Sequence, residues 1–405
     1  MIDGPDGGYR PSERGLRLTG HHDLGGRGDG MQVMRWGSAV YVGHVGTSRA
    51  GTSVLDASDP ERLRLVEQWP APNRSHTHKV QVADDVLLVN HEKFPYRVPA
   101  DGPVSAGVAI YDVSRPLEPR RIAFWECGGI GVHRIVWTGG RYAHMSATPA
   151  GFRDRIWIVL DLADPFHPVE AARWWWPGQR DDEVPDWPAE LRYAAHHALI
   201  ADGRAFVGYG DAGMVILDVA DITRPRLLHR VSWPDGGDTH TCLPLPGRRL
   251  IAVTDEQVRD GPGAPPRKIR LFTMDDPPRL VSVLPAPDDE FASLPLRYGA
   301  HNLHENRPRS YQSEDILFAT YFSAGLRVYD ISDPGQPVEI AHWCPPVPPG
   351  QAVPQINDVF VDHEGLIWVT DRLNGGLYVL EPEPELRRRM LHHAPPTRSG
   401  GPRGW

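Results

Sequence analysis

Cysteine is scarce in this 405-residue chain: Cys127, Cys242 and Cys344 stand far apart and form no CxxC pair. That excludes a disulfide framework and a zinc–thiolate site. No apolar run approaches the roughly 18 residues that a membrane span needs. The opening residues, MIDGPDGGYRPSERG, lack the basic-then-apolar layout of a secretory signal. A cytoplasmic protein without membrane association is therefore expected. No basic stripe offsets the net charge of −9. Nucleic acid is disfavoured as a partner, because neutralising phosphates needs clustered Lys and Arg. The GxSxG, HExxH and P-loop motifs are missing as well. Glycine and proline are plentiful, 41 of each, so turns should be frequent and long helices rare.

One pattern recurs along the chain: an apolar residue, an Asp, a short bridge to Pro, and a second apolar run. The copies are LDASDPERLRLVEQW (55–69), YDVSRPLEPRRIAFW (111–125), LDLADPFHPVEAARW (160–174), LDVADITRPRLLHRV (217–231) and YDISDPGQPVEIAHW (329–343). Weaker copies start at Phe272 and Leu380, with Thr273 and Glu381 at the Asp position. The markers fall at 56, 112, 161, 218, 273, 330 and 381, between 49 and 57 residues apart. Such a period signals a repeat architecture. Each marker lies within a set of four short strand-like runs separated by Gly, Pro and Asp turns. Four-stranded sheets repeated radially make a β-propeller.

The expected fold is thus all-β: a seven-bladed β-propeller. The last repeat lacks a fourth strand, and GLRLTGHHDL (15–24) has no blade of its own. This N-terminal strand should pair with the C-terminal blade and close the ring, removing open edges. Residues 15–386 would form the single propeller domain, with disordered segments at 1–14 and 387–405. The marker Asp residues should cap turns through nearby backbone N–H groups. The run L-x-V-x-D-x-S-x-P, clearest in GLRVYDISDPGQPVEIAHW, resembles the LVIVD repeat family, which is associated with β-propellers. That likeness implies a fold and not one reaction.

The start of each innermost strand carries a second pattern. THKVQV, VHRIVW, HHALIA, THTCLP and AHNLHE place His78, His133, His197, His240 and His301 at equivalent positions. Asp29 and Asn357 take that position in the two remaining repeats. Inner strands line a propeller's channel, so these residues should ring its axis. Neutral imidazoles suit transition metals. The five histidines are the expected metal ligands, against the alternative of hydrogen-bonded structural histidines repeated blade by blade.

Strand two runs back to the same end of the ring, where long loops also gather. Glu92 and Glu256 align there, as orienting carboxylates or general bases, with His91 beside Glu92 as a further catalytic candidate. His76, His196, His44, His144, Tyr209, Tyr321, Asp29 and Asn357 are expected to line the substrate space. The arrangement is similar to that of carotenoid-cleaving oxygenases, which hold iron with four His from different blades. It also resembles the selenium-binding (methanethiol oxidase) family. These likenesses of architecture imply a metal-dependent oxygenase or oxidase acting on a small-molecule substrate. Fe(II) is the foremost cofactor, with Cu, Zn or Mn as others. A lyase or hydrolase using a non-redox metal, and a propeller scaffold without catalysis, remain as alternatives. Oligomeric state is left open.

Overall fold

The computed structural model describes residues 8–47, 49–96, 102–261, 267–287 and 289–393. Its first sheet is a plain antiparallel meander of Gly30–Trp36, Ala39–His44, Ala50–Asp56 and Arg64–Pro70. The same plan recurs in chain order, with inner strands at Val80–Ala83, Gly131–Val136, Tyr193–Ala201, Thr239–Leu245 and Ile356–Val361. In the sixth sheet the inner run is irregular. It is held by the bridge Leu303↔Ala319 and the bond from His301 N to Thr320 O. The described strands therefore form seven groups, and the protein is an all-β propeller.

The last sheet takes its fourth strand from the other end of the chain. Leu16–His22 pairs antiparallel with Gly376–Pro382, from Leu16↔Pro382 to His22↔Leu377. The same sheet meets the first one: Val33 N donates to Asp358 Oδ2 at 3.1 Å, and Asn357 Nδ2 donates to Met31 O at 2.7 Å. The N-terminal strand thus pairs with the C-terminal sheet, which itself contacts the first sheet, an arrangement consistent with the closure expected from 15–24.

The ordered chain is longer than expected at both ends. Ser12–Arg14 adds an outer strand against Val338–Cys344, with Ser12 opposite Cys344. Helix Pro384–His392 runs across the expected boundary at 387. Leu386 and Met390, four residues apart on one face, bury themselves and fix it. The rest of the segments expected to be disordered, 1–7 and 394–405, lies outside the described residues.

Strand residues alternate between the two neighbouring sheets, so the core is a set of apolar layers between blades. One layer joins Trp368 and Leu377 of the last sheet, Val40 and Tyr41 of the first, and Val80 and Leu87 of the second. Each such fully buried large side chain contributes about 1.5–3 kcal/mol. The marker aspartates act as turn caps: Asp56, Asp112, Asp218 and Asp330 accept the N–H two residues on, at 3.0, 2.9, 3.1 and 2.9 Å. Arg64, Arg120 and Arg226, eight residues further along, brace three of them from the next strand.

Candidate metal centre

The inner strands share a defect that builds the site. In the first sheet Gly30 faces His44 and Gln32 faces Gly43, so Met31 has no partner. The same register shift leaves His133, His240 and Asn357 unpaired in their strands. In the fourth sheet the shift falls between Tyr193 and His197. A bulge re-aims one side chain out of the normal alternation. Here it turns that side chain toward its neighbours around the axis. Glycines on second strands leave room for the next bulge: a Cβ on Gly43 would lie 2.6 Å from the carbonyl carbon of His78, and one on Gly208 2.3 Å from His240 O.

Side by side, the imidazoles form an arc. Ring centroids are 3.9 Å apart for His76–His78, 5.0 Å for His78–His133 and 4.8 Å for His133–His196. The arc continues with 3.8 Å for His196–His240 and 4.5 Å for His240–His301. His196, rather than His197, is the fourth blade's member. His197 follows the bulge and turns down the axis, with Nε2 2.9 Å from Glu305 Oε1. The expected alignment was one residue out, because sequence alone cannot locate a bulge between two adjacent histidines.

Glu92 ties one end of the arc together. Its Oε2 lies 3.1 Å from His76 Nε2, 2.9 Å from His133 Nδ1 and 3.8 Å from His78 Nε2. Burial alone would raise its pKa, but His133 and His76 outweigh that and hold the carboxyl well below the usual range. At the other end Glu256 accepts from Arg297 at 2.8 Å and lies 3.6 Å from His301 Nε2. Four of the imidazoles, those of His78, His133, His196 and His240, are kept neutral. Burial, then the charge of Arg155, pulls His133 down to about 3. Burial first, and neighbouring histidines next, push His78, His196 and His240 well below the ordinary value.

Neutral, buried imidazoles are suited to hold a transition metal. His78 Nε2, His196 Nδ1 and His240 Nε2 are buried with no hydrogen-bond partner among the described residues. Ligand atoms of His76, His78 and Glu92 all lie within 4.8 Å of one another, and so do those of His196, His240 and Glu256. The donor set fits a transition-metal ion.

Several expected residues lie apart from the arc. His91 donates or accepts at Ser105 Oγ, 2.7 Å away, and stands edge-on to Phe124. His44 is locked between Asp29 Oδ1 at 2.8 Å and Ser53 Oγ at 2.7 Å, which removes both His44 and Asp29 from the lining. His144 stacks on Trp157. Tyr209 donates to Gln179 and packs against Trp174. Tyr321 is fully buried near Tyr329. The cause is the strict alternation of strand side chains, which sends these groups between blades instead of toward the axis. Asn357 is close to the arc, but through its backbone: its carbonyl accepts from His301 Nδ1 at 2.8 Å.

Other residues join the site without any sequence signal having marked them. Tyr96 donates to Glu92 Oε2 at 3.0 Å. Below the arc, Arg134 bonds Asn302 Oδ1 at 3.1 Å and Glu305 Oε1 at 3.2 Å, and Arg307 bonds Gln81 Oε1 at 2.8 Å. These groups fill the axis. Burial, then Arg134, draws the Lys79 ammonium beside them down to about 7.

Residues 199–232 and 313–343 match the family model of the LVIVD repeat, so the repeat itself is present in the fourth and sixth sheets. No curated protein matches the chain in sequence. Solved structures are similar in fold. A periplasmic gluconolactonase of Pseudomonas aeruginosa aligns at TM-score 0.55 and 12% identity, over 90% of this chain and 94% of that one. A hypothetical selenium-binding protein from Sulfolobus tokodaii aligns at TM-score 0.53 and 15% identity, over 89% of this chain and 83% of that one. A chain of a mitotic checkpoint complex reaches 0.58 at 10% identity, over 95% of both chains. At such identities the likeness is one of fold.

Proposed function

We propose that this propeller is a metal-dependent oxidoreductase, an oxygenase or oxidase acting on a small organic molecule at the imidazole arc. The carrying observation is the set of three orphaned nitrogens, on His78, His196 and His240. A buried polar atom without a partner costs about 1–3 kcal/mol. Cation binding at these groups would remove that cost. The ligands would come from His76, His78 and Glu92 and from His196, His240 and Glu256, with His133 and His301 beside them. Imidazole and carboxylate without thiolate suit Fe(II) or Cu, and also Zn or Mn. Bound Fe(II) or Cu would supply one-electron chemistry toward O2.

The chain's own residues do the rest. Glu92 fixes the orientation of the His76 and His133 rings by bonding both. Burial, then the charge of Glu92, holds the proton on Tyr96, which therefore acts as a donor to that carboxylate. The Arg134–Glu305–Arg307 network fills the axis below, so a substrate would approach from the loop-rich side. Two cations on that side support a substrate with an anionic group. Among the described residues Arg155 is buried, its Nε has no hydrogen-bond partner, and its ion pair with Asp154 spans 3.8 Å. Desolvation, then repulsion from Arg297, draws the Arg372 guanidinium down to about 10.

A second reading keeps the metal and drops the redox step. The hydrogen-bonded set Tyr96–Glu92–His76 could move a proton while Zn or Mn polarises a carbonyl. Metal content by inductively coupled plasma mass spectrometry, on tag-free protein from metal-supplemented cultures, separates the two. Near-stoichiometric iron or copper, lost in His240→Ala and accompanied by O2 consumption, supports the oxidoreductase. Zinc or manganese moves the assignment to the second reading. A folded wild type that takes up no metal ends both and leaves a binding scaffold.

A further inference from the structure

We infer that the arc is a two-ion centre, with His133 set between the ions. The inference rests on the metal reading above and adds the number and linkage of the ions. Its first ground is that the two ligand groups share no residue: His76, His78 and Glu92 make one, and His196, His240 and Glu256 the other. Each brings two imidazoles and one carboxylate, and each contains a buried nitrogen without a partner, His78 Nε2 in the first and His240 Nε2 in the second.

Spacing within the groups matches ligand sets. Tetrahedral bonds of about 2.0 Å place ligand atoms about 3.3 Å apart. Within the first group Glu92 Oε2 is 3.1 Å from His76 Nε2 and 3.8 Å from His78 Nε2. Beside the second, Glu256 Oε1 is 3.6 Å from His301 Nε2, so His301 is placed to add a further nitrogen there.

His133 belongs to neither group and touches both. Its Nδ1 is 2.9 Å from Glu92 Oε2, and its Nε2 is 3.0 Å from His196 Nε2. A neutral imidazole has one N–H and one lone pair. Without metal, the Glu92 contact needs the proton on His133 Nδ1, so His133 Nε2 accepts from His196 Nε2–H. His196 Nδ1 is then left as a lone pair, and it is one of the orphaned buried atoms. The proton count of the arc thus ends in an unfilled acceptor. With both ions bound, His133 would release its one ring proton to solvent and offer a lone pair to each side. Glu92 and Glu256 would each offset charge on one ion.

Titration of metal-free protein with Cu(II) tests this. The background is His392→Ala/His393→Ala, which removes the pair of rings 4.9 Å apart at the C-terminal helix end. Bound copper is counted after desalting, and spin is quantified by electron paramagnetic resonance. The expected result is two ions per chain, with a signal well below that of the copper present because the spins couple. His78→Ala and His240→Ala should each retain one ion with a full, uncoupled signal, and His133→Ala should abolish coupling. One ion per chain in the parent protein overturns the inference and leaves the metal-enzyme reading standing. Two ions without coupling also overturn it. No bound copper removes both. Circular dichroism checks each variant's fold, and the parent's stoichiometry and coupling decide the matter if a variant does not fold.

Discussion

The Nε2 atoms of His133 and His196, from adjacent blades, lie 3.0 Å apart. Two imidazoles meet nitrogen to nitrogen only if one donates or if a cation lies between or beside them. Around this contact burial keeps His78, His133, His196 and His240 neutral, and, against burial, neighbouring histidines hold the Glu92 carboxyl well below the usual range.

Removing the charge of Glu92 should therefore weaken metal binding before it affects the fold. Glu92→Gln keeps the shape and can still donate to one histidine. A partner that orients a ligand is commonly worth 10–100-fold in metal affinity. A competition titration against a chelator should show a loss of about that size. Affinity unchanged within twofold would remove Glu92 from the site.

Acid should destabilise the metal-free protein early. Burial holds His133 at about 3, and His197 and His144 at about 4, against 6.5 for the ordinary ring. Below about pH 6.5 the unfolded chain binds protons that the folded one refuses. Stability is full above that pH and is lost as pH falls toward the folded values. Asp255, Asp358 and Asp371, raised by burial to about 6, act in the opposite direction between about 4 and 6, but the depressed histidines outnumber them. Urea midpoints measured from pH 7.5 to 4.5 should fall steadily. A flat profile would show that the imidazoles are not buried as described.

The network beneath the arc should be a stability element. Glu305 faces Arg134, Arg307 and His197. Glu305→Ala leaves two buried guanidiniums short of their partner, and breaking such a pair costs about 3–5 kcal/mol. Chemical denaturation reads this directly. A loss under about 1 kcal/mol would mean that water reaches the axis from below.

Ring closure should depend on the N-terminal strand. A Cβ on Gly20 would sit 2.1 Å from Pro60 O, against a neighbouring blade's backbone. Gly20→Val should lower the melting temperature strongly or leave an aggregating protein with an open edge along Gly376–Pro382. Leu18→Thr, at a 40% exposed position on the same strand, should be nearly neutral. Equal effects of the two would show that this strand is dispensable.

Arg372→Gln should separate substrate binding from metal binding. With a turned-over anionic substrate, KM should rise about tenfold or more, corresponding to about 1.4 kcal/mol for the charge-assisted contact, while metal content stays at the wild-type level. A variant that loses metal and keeps KM would assign Arg372 to the fold.

The repeat was legible because its markers are local: at five of the seven an Asp caps its own turn two residues on, whatever surrounds it. The closing strand could be inferred because the last repeat was one strand short and GLRLTGHHDL had no partner. The histidine ring could be inferred because each His keeps the same place in its blade. Which of two adjacent histidines faces the axis could not, since the bulge that selects His196 exists only when Tyr193–Ala201 pairs with Arg204–Gly210. Glu92 was marked by its place at a strand end, but its histidine partners come from two other stretches of chain, His76 and His78 from one and His133 from another. Arg134, Glu305 and Arg307 carry no local signal, because buried charges meet only when distant blades bring them to one axis. The sequence by itself determined the repeated four-stranded unit and the presence of imidazoles at the start of its inner strands. Only the tertiary structure decided which nitrogens meet, because a bulge, a sheet pairing and the closure of the ring act together to aim them.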